Sequence, residues 1–129
     1  MTDIIIVGGI NIDIEGSPYA ALRPADSNPG KVGISYGGVG RNIAEDIANC
    51  ELRPTFVSLV DRSGSGEDVI HKLKNHKVNT EYIEKTRNGM GTWLAIFDND
   101  GDVCASISKR PDLMPIADIL DTHGDEIFA

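Results

Sequence analysis

Residues Ile4-Ile5-Ile6-Val7 form a short continuous β-branched run closed by Gly8-Gly9. Such a run predicts a strand buried on both faces, as in the parallel sheet of an α/β protein. The next segment has a different pattern: Ile10, Ile12 and Ile14 alternate with Asn11, Asp13 and Glu15. A period of two gives one apolar and one polar face. The polar face is acidic and amide-rich, which suits either a solvent-facing edge strand or a surface that grips a ligand. Pro18, Pro24 and Pro29 punctuate residues 16–30, a connection. Val32, Ile34 and Tyr36 then alternate with Gly33 and Ser35, predicting another half-buried strand. From Val39 the apolar positions fall at 39, 43, 44, 47 and 48, the spacing of an amphipathic helix that starts close to Gly40 and ends near Cys50.

Phe56 to Val60 reads as a second buried strand. A second helix is expected after Gly64-Ser65-Gly66, with Glu67 and Asp68 in its first turn, where the helix dipole favours anions. Val69, Ile70 and Leu73 supply its core face, and Lys72, Lys74 and Lys77 lie nearer its end. Tyr82-Ile83 is a brief strand. Thr92–Phe97 and Val103–Ile107 flank the turn signal Asn99-Asp100-Gly101 and predict a hairpin. A last short helical stretch over Ile116–Leu120 is expected to end at Thr122-His123-Gly124. Strands alternating with helices argue for a layered α/β fold. The period-two segments 10–15, 32–36 and 103–108 suit a separate small sheet with one open face.

Composition narrows the function classes. The 129 residues suit one domain. Twelve Lys plus Arg against 20 Asp plus Glu give a formal charge of −8. No basic cluster offsets that balance, which argues against a nucleic-acid partner. Cys50 and Cys104 are too few and too far apart for a disulfide framework. Met1 to Gly9 lacks the basic start and apolar length of a leader peptide, and nothing approaches a membrane span, so a reduced, soluble, cytoplasmic protein without a membrane partner is expected.

Several signatures are excluded. Lys31 follows Gly30 but precedes Val32, so no hydroxyl residue completes a P-loop. Gly8-Gly9 leads into a strand, which removes the dinucleotide-binding fingerprint. His71 and His76 are five residues apart and His123 is distant, a poor metal set. Asp98-Asn99-Asp100-Gly101-Asp102 has the wrong glycine spacing for a calcium loop and reads as a turn.

The informative segment is Gly37-Gly38-Val39-Gly40-Arg41-Asn42-Ile43-Ala44. Glycines at a strand-to-helix junction let backbone approach a ligand, because no Cβ obstructs it. A helix start offers free N–H groups to oxygen atoms, and Asn42 carries both a donor and an acceptor. A plain glycine-rich turn is the competing reading. Asn11 and Asp13 favour the ligand reading, since a carboxylate accepts from two adjacent hydroxyls at once.

Gly9-Ile10-Asn11-Ile12-Asp13 followed by Gly37-Gly38-Val39-Gly40-Arg41-Asn42-Ile43-Ala44 resembles the amino-terminal signature of the ribokinase-like (PfkB) carbohydrate kinases. Ala25-Asp26-Ser27-Asn28-Pro29-Gly30-Lys31 ahead of it is most similar to the pseudouridine kinases of that family. The resemblance implies a three-layer α/β/α sandwich with a small β-sheet lid, its strands near 10–15, 32–36 and 92–108. It also implies phosphoryl transfer from ATP, with magnesium, to the ribose 5′-hydroxyl of a nucleoside. The candidate substrate-binding residues are Asn11, Asp13, Gly37, Gly38, Gly40, Arg41, Asn42 and Thr92. Arg41 is placed to reach either the nucleobase or a carboxylate.

The chain also departs from the family pattern. A Gly-Ala-Gly-Asp turn, which carries the catalytic base and anion hole, does not occur in the 129 residues. By the resemblance, residues 1–129 are the amino-terminal, substrate-binding portion of a kinase, without the carboxy-terminal ATP-binding part. No catalytic residue is assigned among them, and phosphorylation by this chain alone is not expected. Asp61 and Ser63 stand where Gly and Asp are usual, and Cys50-Glu51 replaces a customary Leu-Gly. Alternatives are a kinase for another sugar such as ribose or fructose, and a non-catalytic binding module. A further alternative is a module that pairs with a second copy through exposed edges of its lid strands.

Overall fold

The computed structural model describes residues 4–129, so the reading of Met1–Gly9 as no leader peptide falls in part on residues outside that range. Three strands, β1 (Ile5–Val7), β4 (Thr55–Val60) and β5 (Ile83–Lys85), form a parallel sheet in the order β1-β4-β5. The second sheet has four strands: β2 (Asn11–Pro18), β3 (Gly30–Gly37), β6 (Gly91–Phe97) and β7 (Val103–Lys109), in the order β3-β2-β6-β7. Helices α1 (Val39–Asn49), α2 (Gly64–Asn75) and α3 (Pro115–Ile127) complete the chain.

β4 is the middle strand of the parallel sheet and all six of its residues are buried. Phe56 and Val60 join a core with Ala44 of α1, Val69 and Leu73 of α2, Ile10 of the link into β2 and Ile12 of β2 itself. Val57 and Leu59 point the other way, onto Ile116, Ile119 and Ile127 of α3. The alternation along one strand thus builds the three layers, two helices on one face and one on the other.

Some expectations change. β1 is an edge strand and its Val7 is exposed, so it is not covered on both faces. β2 is central in its sheet, which removes the edge-strand reading of its polar face. On α1 the buried stripe is narrower than the apolar pattern: Ala44 is buried and Ile47 and Ala48 pack on the core, whereas Val39 and Ile43 are exposed. α2 starts at Gly64 because Ser63 caps it, its Oγ accepting from the Gly66 amide at 3.4 Å. α3 runs through Gly124 to Ile127, since burial of Ile127 against β4's neighbours outweighs the helix cost of one glycine. Asp98 makes the hairpin turn by accepting from the amides of Asp100 and Asp102, both at 2.9 Å.

The lid sheet is tied to the layered body at Tyr36. Its phenol donates to the Asp68 carboxylate on α2 at 2.7 Å, and Lys72 lies 3.5 Å from the same carboxylate and 4.7 Å over the Tyr36 ring. The Tyr36 bond, helped by Lys72, holds the Asp68 carboxyl below its usual range. Burial first, and Asp68 second, raise the Tyr36 phenol. A depressed carboxyl contributes stability above its unfolded pKa and loses it as pH falls through the folded value; a raised phenol contributes below its unfolded pKa and loses it as pH rises through the folded value. The tether is therefore complete between the two ranges. Asp68→Asn is expected to flatten the acid side of a plot of urea midpoint against pH. An acid limb identical to that of the parent would remove this pair from the pH dependence.

Glu51 follows α1 with φ +65°, a left-handed backbone that suits glycine. The side chain is exposed, so nothing packs to offset the strain. Glu51→Gly is expected to raise stability by about 0.5–1 kcal/mol, the net of relieved strain and added chain entropy. Equilibrium unfolding in urea measures it.

Candidate functional site

Partners in strand register point to the same face of a sheet. Asn11 lies between Gly37 and Gly91; Asp13 lies between Ser35 and Trp93, with Ser108 beyond; Glu15 lies between Gly33 and Ala95, with Ser106 beyond. One face of the lid therefore carries Asn11, Asp13, Glu15 and Trp93 among glycine, alanine and serine. The opposite face carries Ile12, Tyr36, Thr92 and Lys109 in one row and Ile14, Ile34, Leu94 and Ile107 in the next.

The polar face meets the start of α1. β3 ends at Gly37, and Gly38 turns the chain into the helix with φ +97°. A Cβ at residue 38 would sit 2.6 Å from the Gly9 carbonyl oxygen, so only glycine fits there. At Gly40 a Cβ would come within 3.0 Å of the Gly8 Cα and 3.2 Å of the Phe56 ring. The helix start is thus pressed against the link between β1 and β2. Asp13 leans over Gly37, where a Cβ would lie 2.8 Å from its Oδ2. No side chain caps α1. Its first amides have no intrahelical acceptor and remain available to a ligand oxygen.

Arg41 is half-buried and spent within the chain. It donates to the Tyr36 carbonyl at 2.8 Å, to Asn42 Oδ1 at 3.1 Å and to the Glu45 carboxylate one helical turn on. The carboxylate it meets here is thus that of Glu45 on its own helix, while its Nε is buried without a partner. Glu45 also lies 3.5 Å from His76 Nε2. Because Arg41 occupies Oδ1 of Asn42, the exposed Asn42 amide keeps its NH2 group for an outside acceptor.

The structure therefore brings Asn11, Asp13, Gly37, Gly38, Gly40 and Asn42 to one junction, with Arg41 bracing it from within. Thr92 stands apart: it pairs with Ile12 and Lys109, on the other face of the lid. Trp93, one residue on, shares the face of Asp13, and the sequence pattern did not mark it. The run Thr92–Phe97 shows no clear alternation, and only the parallel pairing of β2 with β6 reveals which of its residues face Asp13. Arg41–Glu45 was within reach, since i,i+4 is the spacing of helical ion pairs.

A carboxylate acceptor, an amide donor and open helix amides at one junction complement adjacent hydroxyl groups, each of which donates and accepts. Among the described residues no three His, Cys, Asp or Glu side chains gather to hold a metal ion. No helix among them is long and apolar enough to cross a membrane.

The profile of the pfkB family carbohydrate kinases matches residues 1–118. A guanosine-inosine kinase of Exiguobacterium acetylicum is 38% identical over 113 residues, covering 87% of this chain and 37% of the relative. The pseudouridine kinase of Escherichia coli K12 is 31% identical over 129 residues, covering 96% of this chain and 40% of the relative. The chain thus spans about two-fifths of the length of these curated relatives. Among solved structures, a candidate sugar kinase from Clostridium perfringens superposes with a TM-score of 0.88 at 29% identity, over 99% of this chain and 41% of that one. Arabidopsis thaliana ribokinase, complexed with ribose and ATP, superposes at 0.72 with 20% identity over 84% of this chain and 36% of that one, a likeness of fold.

Proposed function

The chain belongs to the pfkB family of carbohydrate kinases, and from that premise we propose that it forms the nucleoside-binding half of an ATP-dependent kinase, with pseudouridine as the first substrate to test. The observation that carries the reading is the meeting of Asp13 and Asn11 with the uncapped start of α1 at Gly38. In this reading the Asp13 carboxylate accepts from two neighbouring ribose hydroxyls, while the Asn42 NH2 and the helix amides donate to sugar oxygens. The sugar is then held with its 5′-hydroxyl free, the group that would receive the phosphoryl group from ATP.

The family implies ATP and magnesium. Among the described residues no three His, Cys, Asp or Glu side chains gather to hold the metal ion, so no step is assigned to it here. What these residues supply is grip and orientation of the substrate. Two kinds of support favour a nucleoside over ribose or fructose. The relatives at 38% and 31% identity carry the names of nucleoside kinases, and the segment Ala25–Lys31 resembles the pseudouridine kinases.

Calorimetric titration of the chain with pseudouridine, with inosine and ribose alongside, tests the reading. Saturable binding is expected, weakened by Asp13→Ala about 10- to 150-fold, the loss of charge-assisted hydrogen bonds to hydroxyls. A folded chain that takes none of these ligands would count against it.

A second reading rests on the other lid face. Val32, Ile34, Ile96 and Ile107 are exposed there, Ile107 at 69% and Val32 at 76%. An apolar sheet face of this kind suits a second copy of the chain, and pairing through the lid is compatible with sugar binding on the opposite face. Sedimentation is expected to show a dimer that Ile34→Glu dissociates; a monomer at all practical concentrations would remove this reading.

A further inference from the structure

Trp93 is the only tryptophan of the chain and is half-buried on the face of the lid that carries Asp13. The two are register partners on adjacent strands, so their side chains rise next to each other. Phe97 meets the Trp93 ring edge-on, with centroids 6.3 Å apart and planes at 85°, and Ala95 between them on the same strand is fully buried. The indole is therefore propped from one side. Across β7 its neighbours on this face are short, Ser108 in its own row and Ser106 in the next, while β2 places Asn11 and Glu15 on either side of Asp13. Apart from Asp13, only Asn11 and Glu15 among these positions are longer than serine, and both rise from β2.

We propose that Trp93 is the base-stacking residue of this site and sets its preference for a nucleoside over a free pentose. The proposal rests on the nucleoside-binding reading and deepens it. A nucleoside offers a hydroxyl-bearing ring and a flat aromatic base joined side by side. A carboxylate and an indole on neighbouring strands offer the matching pair: Asp13 takes the hydroxyls and Trp93 takes the face of the base. Every base has a π-face, so stacking admits a C-linked uracil and a purine alike while leaving ribose with the hydroxyl contacts only. Stacking of this type is expected to strengthen binding about 5- to 150-fold over the bare sugar.

Because no other tryptophan emits, fluorescence reports this contact alone. The 129-residue chain is titrated with pseudouridine, inosine and ribose, following heat and tryptophan emission in parallel. The expected result is quenching by both nucleosides at the calorimetric midpoint, with ribose weaker and silent in emission. Trp93→Ala should bring pseudouridine down to the affinity of ribose, and Trp93→Phe should keep most of the preference. Should the alanine variant fail to fold, the parent emission and the phenylalanine variant decide. Calorimetric nucleoside binding with unchanged emission, or an alanine variant that keeps the nucleoside preference, overturns the stacking role and leaves the nucleoside reading in place. No heat with any of the three ligands overturns that reading and this inference with it.

Discussion

The close approach of backbone at Gly8-Gly9 to backbone at Gly38–Gly40 is the constraint on which the rest of the molecule depends. The chain passes this point twice, once on leaving the parallel sheet for the lid and once on returning from the lid into α1. Side chains at residue 38 or 40 would hold the two passes apart, since a Cβ at either would fall within 3.0 Å of the other pass. With glycine there, the uncapped helix start, the end of β1 and the first residues of β2 share one small volume. Asn11 and Asp13 stand beside the helix start for that reason and for no property of their own. The grouping of these polar residues is thus a by-product of how the lid is spliced into the sandwich.

The lid is then a sheet with a division of labour between its faces. Near its base one face is committed to the body: Ile12 and Ile14 join the main core, and Tyr36 ties β3 to α2 through Asp68. Further out the same face is apolar and open at Val32, Ile34 and Ile107. The opposite face is lined by small residues and carries its charge at Asp13 and Glu15 and its aromatic surface at Trp93 and Phe97. A strand with a period of two can serve both faces without compromise. A one-residue slip of β2 against β6 would exchange them, burying Asp13 and exposing Ile12, and the cost of burying an unpaired carboxylate holds the register.

The layered body was largely legible because its signals are local. The continuous run Phe56–Val60 became the buried central strand, and the period of α1 from Val39 located a helix to within a residue at each end. The glycine junction was legible too, since a strand, three glycines and an amphipathic helix leave few ways to connect them. What remained hidden was non-local. Thr92 and Trp93 are adjacent, and only the parallel pairing of β2 with β6, separated by more than seventy residues, decides which of the two stands beside Asp13. The tether from Tyr36 to Asp68 spans 32 residues and two elements. Burial of the far end of α3 also depends on partners that its own sequence does not name, so the helix passes through Gly124 where a local reading stops it.

The departures from the family pattern after β4 acquire a meaning in this frame. Ser63, which stands where the resemblance expects a carboxylate, caps α2 itself, so the helix start is secured. Asp61, in place of a glycine, accepts from the Met90 amide at 3.1 Å. Met90 is fully buried, and the residue after it, Gly91, opens β6 beside Asn11. The loop after β4 therefore anchors the strand that brings Trp93 into line with Asp13. Seen from the substrate, residues 61–66 act at one remove: they fix where the lid's third strand begins, and through it the distance between the group that would hold the sugar and the ring that would hold the base. The exchanges at 61 and 63 are accordingly a change of bracing and leave the glycine junction at Gly38 untouched.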